Sequence, residues 1–424
     1  MFNKKLLLTG TIFILISLIF AGLLSCEVMA ADQKLTIGAV APLTGPSARV
    51  GEEFQGAVEM ALTEIDYQIG DYEIDVIWID SESETAAAAS AYEMTIMRDG
   101  MDVGFLSWHS WVGVGLMDIG ATHQIPHLFG YGSTVVINEN YEEDPDFYSY
   151  WLGKGWPMPG DLTAGYVEAI EGAIEDGIWE PKNRRAAIYG DDTDWGRDFG
   201  AGIAAQLEEA GWEIVAEEFF GTEETDFYPL LDRFSRDEVS LLAGTVGSVD
   251  GFSAFISQAD EIDLESMIIA DGLGWTGEWY EMTGDASNYV LDQIPQWATE
   301  EAIAFREEFI DNFGFTPSPT AAALTYDYTN FLIKILNATL EEYGELNSEV
   351  IYEFAYDKLR SGEITYKDGI VMEELRYAED VWPDPVVGQD AYMFPVIQYF
   401  EGEDFVVWPD DWAEKEIEIP ERLR

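Results

Sequence analysis

The chain has 424 residues, with 82 Asp and Glu against 21 Lys and Arg and a formal net charge of −61, a polyanion that repels DNA, RNA and anionic membranes and so argues against nucleic-acid binding. Hydrophobic residues still reach 47% and aromatics 14%, which excludes an acidic disordered coil, and the length suggests two or three domains. The single cysteine excludes an intrachain disulfide and a zinc site built from several thiolates.

Lys4 and Lys5 precede an apolar run from Leu6 to Leu24, the pattern of a secretory leader. The run is also long enough to span a bilayer, so an uncleaved anchor stays open. Val28-Met29-Ala30 reads as a small-residue peptidase site with a mature start at Ala31. Leu23-Leu24-Ser25-Cys26 reads as a lipobox, with Cys26 lipidated and tethered. Either exit makes residues 1–30 a signal peptide or lipoprotein leader and the protein extracytoplasmic, periplasmic or cell-surface. Removing residues 1–30 leaves 19 cations against 81 acids, a net −62.

Past the leader, Lys34–Ala41 reads as a buried strand. Gly51–Asp66 follows, with Phe54, Ala57, Val58, Ala61, Leu62 and Ile65 on one helical stripe. Then come a strand over Glu73–Asp80, a helix over Glu84–Arg98, a strand over Asp102–Leu106, a helix over Val112–His123 and a strand over Pro126–Phe129. This alternation predicts a parallel sheet with crossover helices. Asn138–Asp146 is an acidic break, Phe147–Leu152 an aromatic strand, and Pro157-Met158-Pro159 a punctuation after which the alternation restarts. Helices at 162–176, 196–210, 228–234 and 251–260 alternate with strands at 185–190, 213–219, 240–244 and 266–270. Asn288–Ile294 reads as a strand returning toward the first domain, followed by helices at 300–313 and 320–343 and a hairpin of 394–400 with 404–408. The expected fold is α/β, two doubly wound parallel-sheet lobes joined by a multi-crossing hinge. The first lobe takes 31–155 plus 287–365 and the second 156–286 plus 366–424.

Several motifs have a plain structural reading. Gly272-Leu273-Gly274-Trp275-Thr276-Gly277 matches the dinucleotide fingerprint after a strand, but Asp271 and Trp275 are poor company for phosphate, and a glycine-rich turn is the preferred reading. Asp191-Asp192-Thr193-Asp194 lacks the calcium-loop spacing and reads as a solvated loop with a helix cap. His123 and His127 straddle Pro126, so they share no helical face, and with His109 they read as packing or polar lining. Asn337-Ala338-Thr339 is a glycosylation sequon inside an apolar helix, a chance match. No nucleophile–base set stands out, so no catalytic residue, metal or cofactor is assigned.

In sheets of this type ligands bind beyond the carboxyl ends of the strands. Those loops hold Ser107-Trp108-His109-Ser110-Trp111 at a helix start, Tyr131-Gly132-Ser133-Thr134, Asp194-Trp195-Gly196, Thr245 and Asp271. Hydroxyls and N–H groups on one lobe, facing an acid and an indole on the other, suit a zwitterionic amino acid. For any one of these residues alone, capping or turn chemistry is the plainer role. Trp108, Trp111, Trp195 and Trp275 lie in or beside these loops; two or more facing the cleft point to a larger or aromatic ligand, or to a cation over an indole face.

The segments Thr36–Asp66, Arg184–Val215, Thr225–Phe234 and Ile268–Gly272 carry a resemblance. With the Pro42-Leu43-Thr44-Gly45-Pro46 opening and the Asp194-Trp195-Gly196 turn, the sequence resembles the class I periplasmic solute-binding proteins of ABC importers, of the branched-chain amino acid type, over about Lys34 to Pro409. The resemblance implies a ligand carboxylate held at Ser110 or else Ser107, with Tyr131 and Ser133. It implies Trp195 as a pocket wall and Asp271 as partner of the ligand ammonium. Val50 stands where Tyr is common, and an aromatic expected near Thr245 is absent, so Val50, Trp108 and Trp275 are further wall candidates. The implied function is a non-catalytic receptor, expected to be monomeric, that closes on an amino acid, branched-chain or otherwise hydrophobic or aromatic, and delivers it to the permease subunits. The alternatives are the same fold binding an aromatic acid, amide or urea-like solute, or acting as a ligand sensor for a signalling receptor; a secreted hydrolase is a further rival. The charge predicts a salt-rich exterior, or high pH.

Overall fold

The computed structural model describes residues 33–367, 369–388 and 390–424. The expectations for the leader, Cys26 included, lie outside these residues. Among the described residues no helix is long and apolar enough to cross a membrane.

Two sheets organise the chain. The first contains β1 (Gln33–Ala41), β2 (Gln68–Ile69), β3 (Tyr72–Asp80), β4 (Val103–Phe105), β5 (His127–Gly130) and β6 (Trp151–Lys154), in the order β2-β3-β1-β4-β5-β6. β1, β3, β4, β5 and β6 run parallel, and β2 pairs antiparallel at the edge. β1 is apolar on both faces because both are covered. Leu35, Ile37, Ala39 and Ala41 join a core with Phe54 and Leu332, while Val40 joins another with Ile79, Val112 and Leu116.

The second sheet contains β7 (Arg185–Asp191), β8 (Glu213–Phe220), β9 (Leu241–Thr245), β10 (Met267–Asp271), β11 (Leu291–Gln293), β12 (Val396–Phe400) and β13 (Glu403–Trp408). Its order is β13-β12-β11-β10-β9-β7-β8, with parallel pairing from β8 to β11 and β12 running antiparallel between β11 and β13. The order in which strands are added reverses beside β1 in the first sheet and beside β7 in the second. These are the switch points where adjacent crossover helices diverge and leave a crevice.

The chain crosses between lobes after β6, after β11 and before β12. The strand at 291–293 pairs with β10 and β12, so it belongs to the second sheet and does not return to the first as expected. Helices Glu300–Phe313 and Leu324–Tyr343 do return: Phe309 packs where a Cβ on Gly56 would sit, with Met60, Phe305 and Ala322 around it. Residues 366–367 and 369–387 also lie on the first lobe, where Tyr377 donates to Lys154 O at 2.7 Å and Asp327 accepts from Ile370 N at 2.9 Å. Residues 291–293 thus pair within the second sheet, and Ile370 and Tyr377 bond to the first lobe, on the other side of the lobe limits expected at 287 and 366. Lys154, fully buried at the first crossing, pairs with Asp384 at 2.6 Å and donates to Asn138 at 2.9 Å.

Two further helices contradict the sequence reading. Val135–Glu143, capped by Thr134, occupies the acidic break, burying Ile137 and Tyr141. Ser348–Arg360, capped by Asn347, buries Val350, Ile351, Phe354, Ala355 and Leu359, a stripe the sequence reading passed over.

Buried acids make the fold pH-sensitive, Asp327 and Glu53 among them. Burial pushes Asp327 up to about 8 and Glu53 to about 7; the bonds each accepts, from Ile370 and Ser318 respectively, offset this only in part. An acid whose folded pKa is raised contributes stability that is full below its unfolded value and is lost as pH rises through the folded one. His109 and His127, lowered by burial to about 3 and about 4, act in the opposite sense, but only below their unfolded value of about 6.5. Stability is therefore expected to fall by about 1 kcal/mol or more from pH 6.5 to pH 8. Asp327→Asn should flatten that slope. Urea midpoints at the two pH values check this, and an unchanged slope in the variant contradicts it.

Candidate functional site

Both switch points open into one crevice between the lobes. The first lobe contributes the turn after β4 and the start of helix Ser110–His123. Three non-glycine residues at these strand ends have left-handed backbone: Leu106 at φ 62°, Ser107 at 142° and Phe129 at 56°. Each costs on the order of 1–3 kcal/mol, and such strain gathers where a site must be held in one geometry. His109 is the N-cap and gives the helix no side-chain cap. Its ring stacks on Trp111 at 4.4 Å and its Nε2 lies 3.0 Å from Ser47 Oγ. Burial lowers its pKa to about 3, so the imidazole is neutral at pH 7. Ser110 Oγ accepts from Ser133 N at 3.1 Å, and the Ser133 hydroxyl donates to Pro157 O at the first crossing.

The second lobe contributes the turns after β7, β9 and β10. Trp195 donates its indole N–H to Thr245 Oγ1 at 3.1 Å, and Thr245 donates onward to Asp271 O at 2.8 Å. Trp275 reaches across the crevice. Its ring stands 5.5 Å from Trp108, 6.3 Å from Trp156 and 5.9 Å from Trp195. The free volume is about 40 Å³, lined by Trp108, His109, Ser110, Trp111 and Tyr131, and by Ser133, Trp156, Trp195, Gly247 and Trp275. That is room for roughly three water-sized spheres, too little for an organic solute while the lobes stand this close. A larger recess of about 620 Å³ beside the end of helix Pro159–Glu175 is lined by Glu168, Glu175, Asp176 and Glu416 and lies off both switch points.

Few polar ties hold the lobes together. Arg49 pairs with Glu278 at 2.8 Å, and Asp198 accepts from Thr134 Oγ1 at 2.8 Å and Val135 N at 2.9 Å. Ser47 Oγ donates to Gly247 O at 3.3 Å. Partly exposed pairs of this kind contribute about 1 kcal/mol or less each, which suits reversible hinge closure. Gly277 sits where the lobes touch; a Cβ there would lie 2.5 Å from Thr316 O.

The periplasmic binding protein family profile matches residues 34–372. The chain belongs to this family. Its fold is shared by LivJ of Streptococcus pneumoniae in complex with isoleucine, at 18% identity and a TM-score of 0.70, with 88% of this chain and 98% of that one covered. It is shared by a solute-binding protein of Rhodopseudomonas palustris BisB5 in complex with 3,4-dihydroxy benzoic acid, at 16% identity and a TM-score of 0.71, covering 88% and 95%. A solute-binding protein of R. palustris in complex with benzoate matches at 15% identity and 0.70, again covering 88% and 95%. Members of the family are extracytoplasmic solute-binding proteins of transporters.

In this periplasmic binding protein, Ser110, Tyr131, Ser133, Trp108, Trp195 and Trp275 line the cleft. Ser107, Thr245, Asp271 and Val50 do not. Ser107 is buried below the turn with its hydroxyl unpartnered among the described residues. Thr245 positions the Trp195 indole from behind. Val50 faces an adjoining recess with Trp108 and Trp275. Asp271 is turned into the second lobe, where Oδ1 accepts from Tyr166 at 2.8 Å. Burial, and then the charge of Asp292, hold its carboxyl well above the usual range. Asp271 is thus outside the described lining of the cleft, where the role expected of it would place it.

The glycine-rich turn has its own anion. Asp292 accepts from Gly272 N and Gly274 N at 2.8 Å each, filling the place a phosphate would need, and Gly272 takes φ 101°. Trp156 and Gly247 were missed by the sequence reading. Trp156 stands just before the Pro157-Met158-Pro159 punctuation, and Gly247 follows β9 two residues after Thr245.

Proposed function

We propose that this chain captures a small organic solute between its lobes on the outer side of a cell and delivers it, as a monomer and without catalysis, to the membrane subunits of an ABC importer. The ligand site is Ser110, Tyr131, Ser133 and Trp195 with Trp108 and Trp275 as walls, to which His109, Trp156 and Gly247 are added. One observation carries the choice of ligand: among the described residues no charged side chain lines the cleft. An α-ammonium would leave N–H donors without an ionic acceptor, a cost on the order of 1–3 kcal/mol. A carboxylate or carbonyl fares better, facing the uncapped start of helix 110–123 and the Ser110 hydroxyl. The rest of the ligand lies against indoles. The benzoate and 3,4-dihydroxy benzoic acid complexes of similar folds support a carboxylate held without an amine. The excess of acids over cations suits a cell-surface protein in a salt-rich exterior.

A thermal-shift panel of amino acids, small aliphatic and aromatic acids, amides and betaines tests this reading. A ligand at about 100 times its Kd adds roughly 2.7 kcal/mol. The expected responders carry a carboxylate or carbonyl and no primary ammonium. Asp271→Asn should leave their affinity within about threefold, since a distant neutral swap costs under about 0.7 kcal/mol. A panel in which only α-amino acids respond, with that affinity lost in Asp271→Asn, would restore the ammonium role.

A further inference from the structure

We propose that the captured solute is a betaine, a fully methylated ammonium joined to a carboxylate, with the cation seated among the indoles; this rests on the reading of the cleft as the capture site.

The cleft is a ring of aromatic faces contributed by both lobes. Trp108 and Tyr131 lie 5.6 Å apart on the first lobe, Trp156 stands at the crossing 6.3 Å from Tyr131, and Trp195 and Trp275 lie 5.9 Å apart on the second. Indole faces carry the negative side of the ring quadrupole and attract a cation within about 6 Å of the centroid. Withdrawal of Trp275 from Trp108 leaves faces on opposing sides of one small space. Trp195 offers only its face, because Thr245 holds its N–H.

Two features choose a methylated cation over other occupants. A primary ammonium brings N–H groups that need acceptors, and the lining holds no carboxylate. A quaternary ammonium has no N–H to satisfy, so the neutral lining costs it nothing in unmade hydrogen bonds. An aromatic acid suits the rings but brings a bare negative charge into a chain with 82 acids and 21 cations, with no Lys or Arg lining the cleft. A betaine is neutral overall, and the field of the protein favours its cationic end. Asp191 strengthens that field locally. Its Oδ2 accepts from Gly247 N in the cleft wall, and its buried Oδ1 has no partner among the described residues. Burial raises this acid only to about 6, so it is ionised at pH 7.5.

The carboxylate end has donors waiting. The indole N–H groups of Trp156 and Trp275, 4% and 8% exposed, have no partner among the described residues. They line the same cleft as the uncapped start of helix 110–123. A buried donor left unpartnered is uncommon and points to a missing acceptor.

Calorimetric titration of the purified protein with trimethylglycine, 4-trimethylammoniobutanoate, glycine, 3,3-dimethylbutanoate and benzoate tests the inference. 3,3-Dimethylbutanoate copies trimethylglycine with carbon in place of the charged nitrogen. At least one betaine should bind about 100-fold tighter than glycine. Trimethylglycine should bind about tenfold tighter than its carbon copy, the difference a cation over indoles makes. Trp195→Leu should abolish that tenfold preference. Equal or tighter binding of 3,3-dimethylbutanoate overturns the inference, as does the absence of binding by both betaines. Binding of benzoate without either betaine overturns it too while leaving the capture site standing. A ligand whose affinity no cleft substitution alters removes the capture site itself.

Discussion

Raising sodium chloride from about 0.01 M to 1 M is expected to raise the Tm by about 10 °C, roughly 3 kcal/mol for lobes of this size. The Debye length falls from about 30 Å to about 3 Å over that range, so repulsion between acids on neighbouring elements is largely removed. With 82 acids and 21 cations, most carboxylates have no cation to meet. The ion pairs present are mostly at the surface: Arg197–Asp192 and Arg233–Glu218 have side chains between 39% and 56% exposed. Salt weakens such pairs, but each contributes at most about 1 kcal/mol. Repulsion summed over the exposed acids outweighs them. Chloride is the right counter-ion for this test, because sulfate would also strengthen apolar burial by exclusion. A Tm that stays flat or falls in scanning calorimetry contradicts the reading of the charge as fitted to a salt-rich exterior.

The double substitution Trp156→Phe with Trp275→Phe is expected to lower affinity for the captured solute about 100-fold, because each indole N–H bonded to a carboxylate contributes roughly 1.5 kcal/mol or more. Phenyl rings preserve most of the packing of Trp156 against Tyr131 and Phe394, so the melting temperature of the free protein should change little. These donors have no partner among the described residues, so removing them leaves no buried group newly stranded. A large fall in stability with unchanged affinity would make both tryptophans packing residues only.

Most of the fold was legible because hydrophobic periodicity reports burial directly. β1 reads as a solid apolar run since both its faces are covered, and the stripe on Gly51–Asp66 matches a helix that begins three residues earlier, at Ala48. Periodicity fails where composition misleads. The acidic stretch before Asp146 hides the Ile137 and Tyr141 pair of a capped helix. A three-residue strand such as Leu291–Gln293 carries no signal about which sheet it joins.

The site was legible at the level of loops rather than side chains. Placing loops beyond the carboxyl ends of the strands located Ser110, Tyr131, Ser133 and Trp195. It could not separate Asp271 from the cleft. That residue ends β10 facing Tyr166, a contact set by helix packing more than a hundred residues away in sequence. Trp156 was passed over because it sits between a strand and a proline pair, where the reading saw only a break.

The most direct test of the cleft as the binding site is a calorimetric titration of one solute, identified by the thermal-shift panel, into the wild type and the Trp156→Phe, Trp275→Phe double variant. One site per chain is expected in the wild type and about a 100-fold weaker Kd in the variant, with the fold intact. Equal Kd values in the two proteins would place the ligand elsewhere and contradict the cleft as its site.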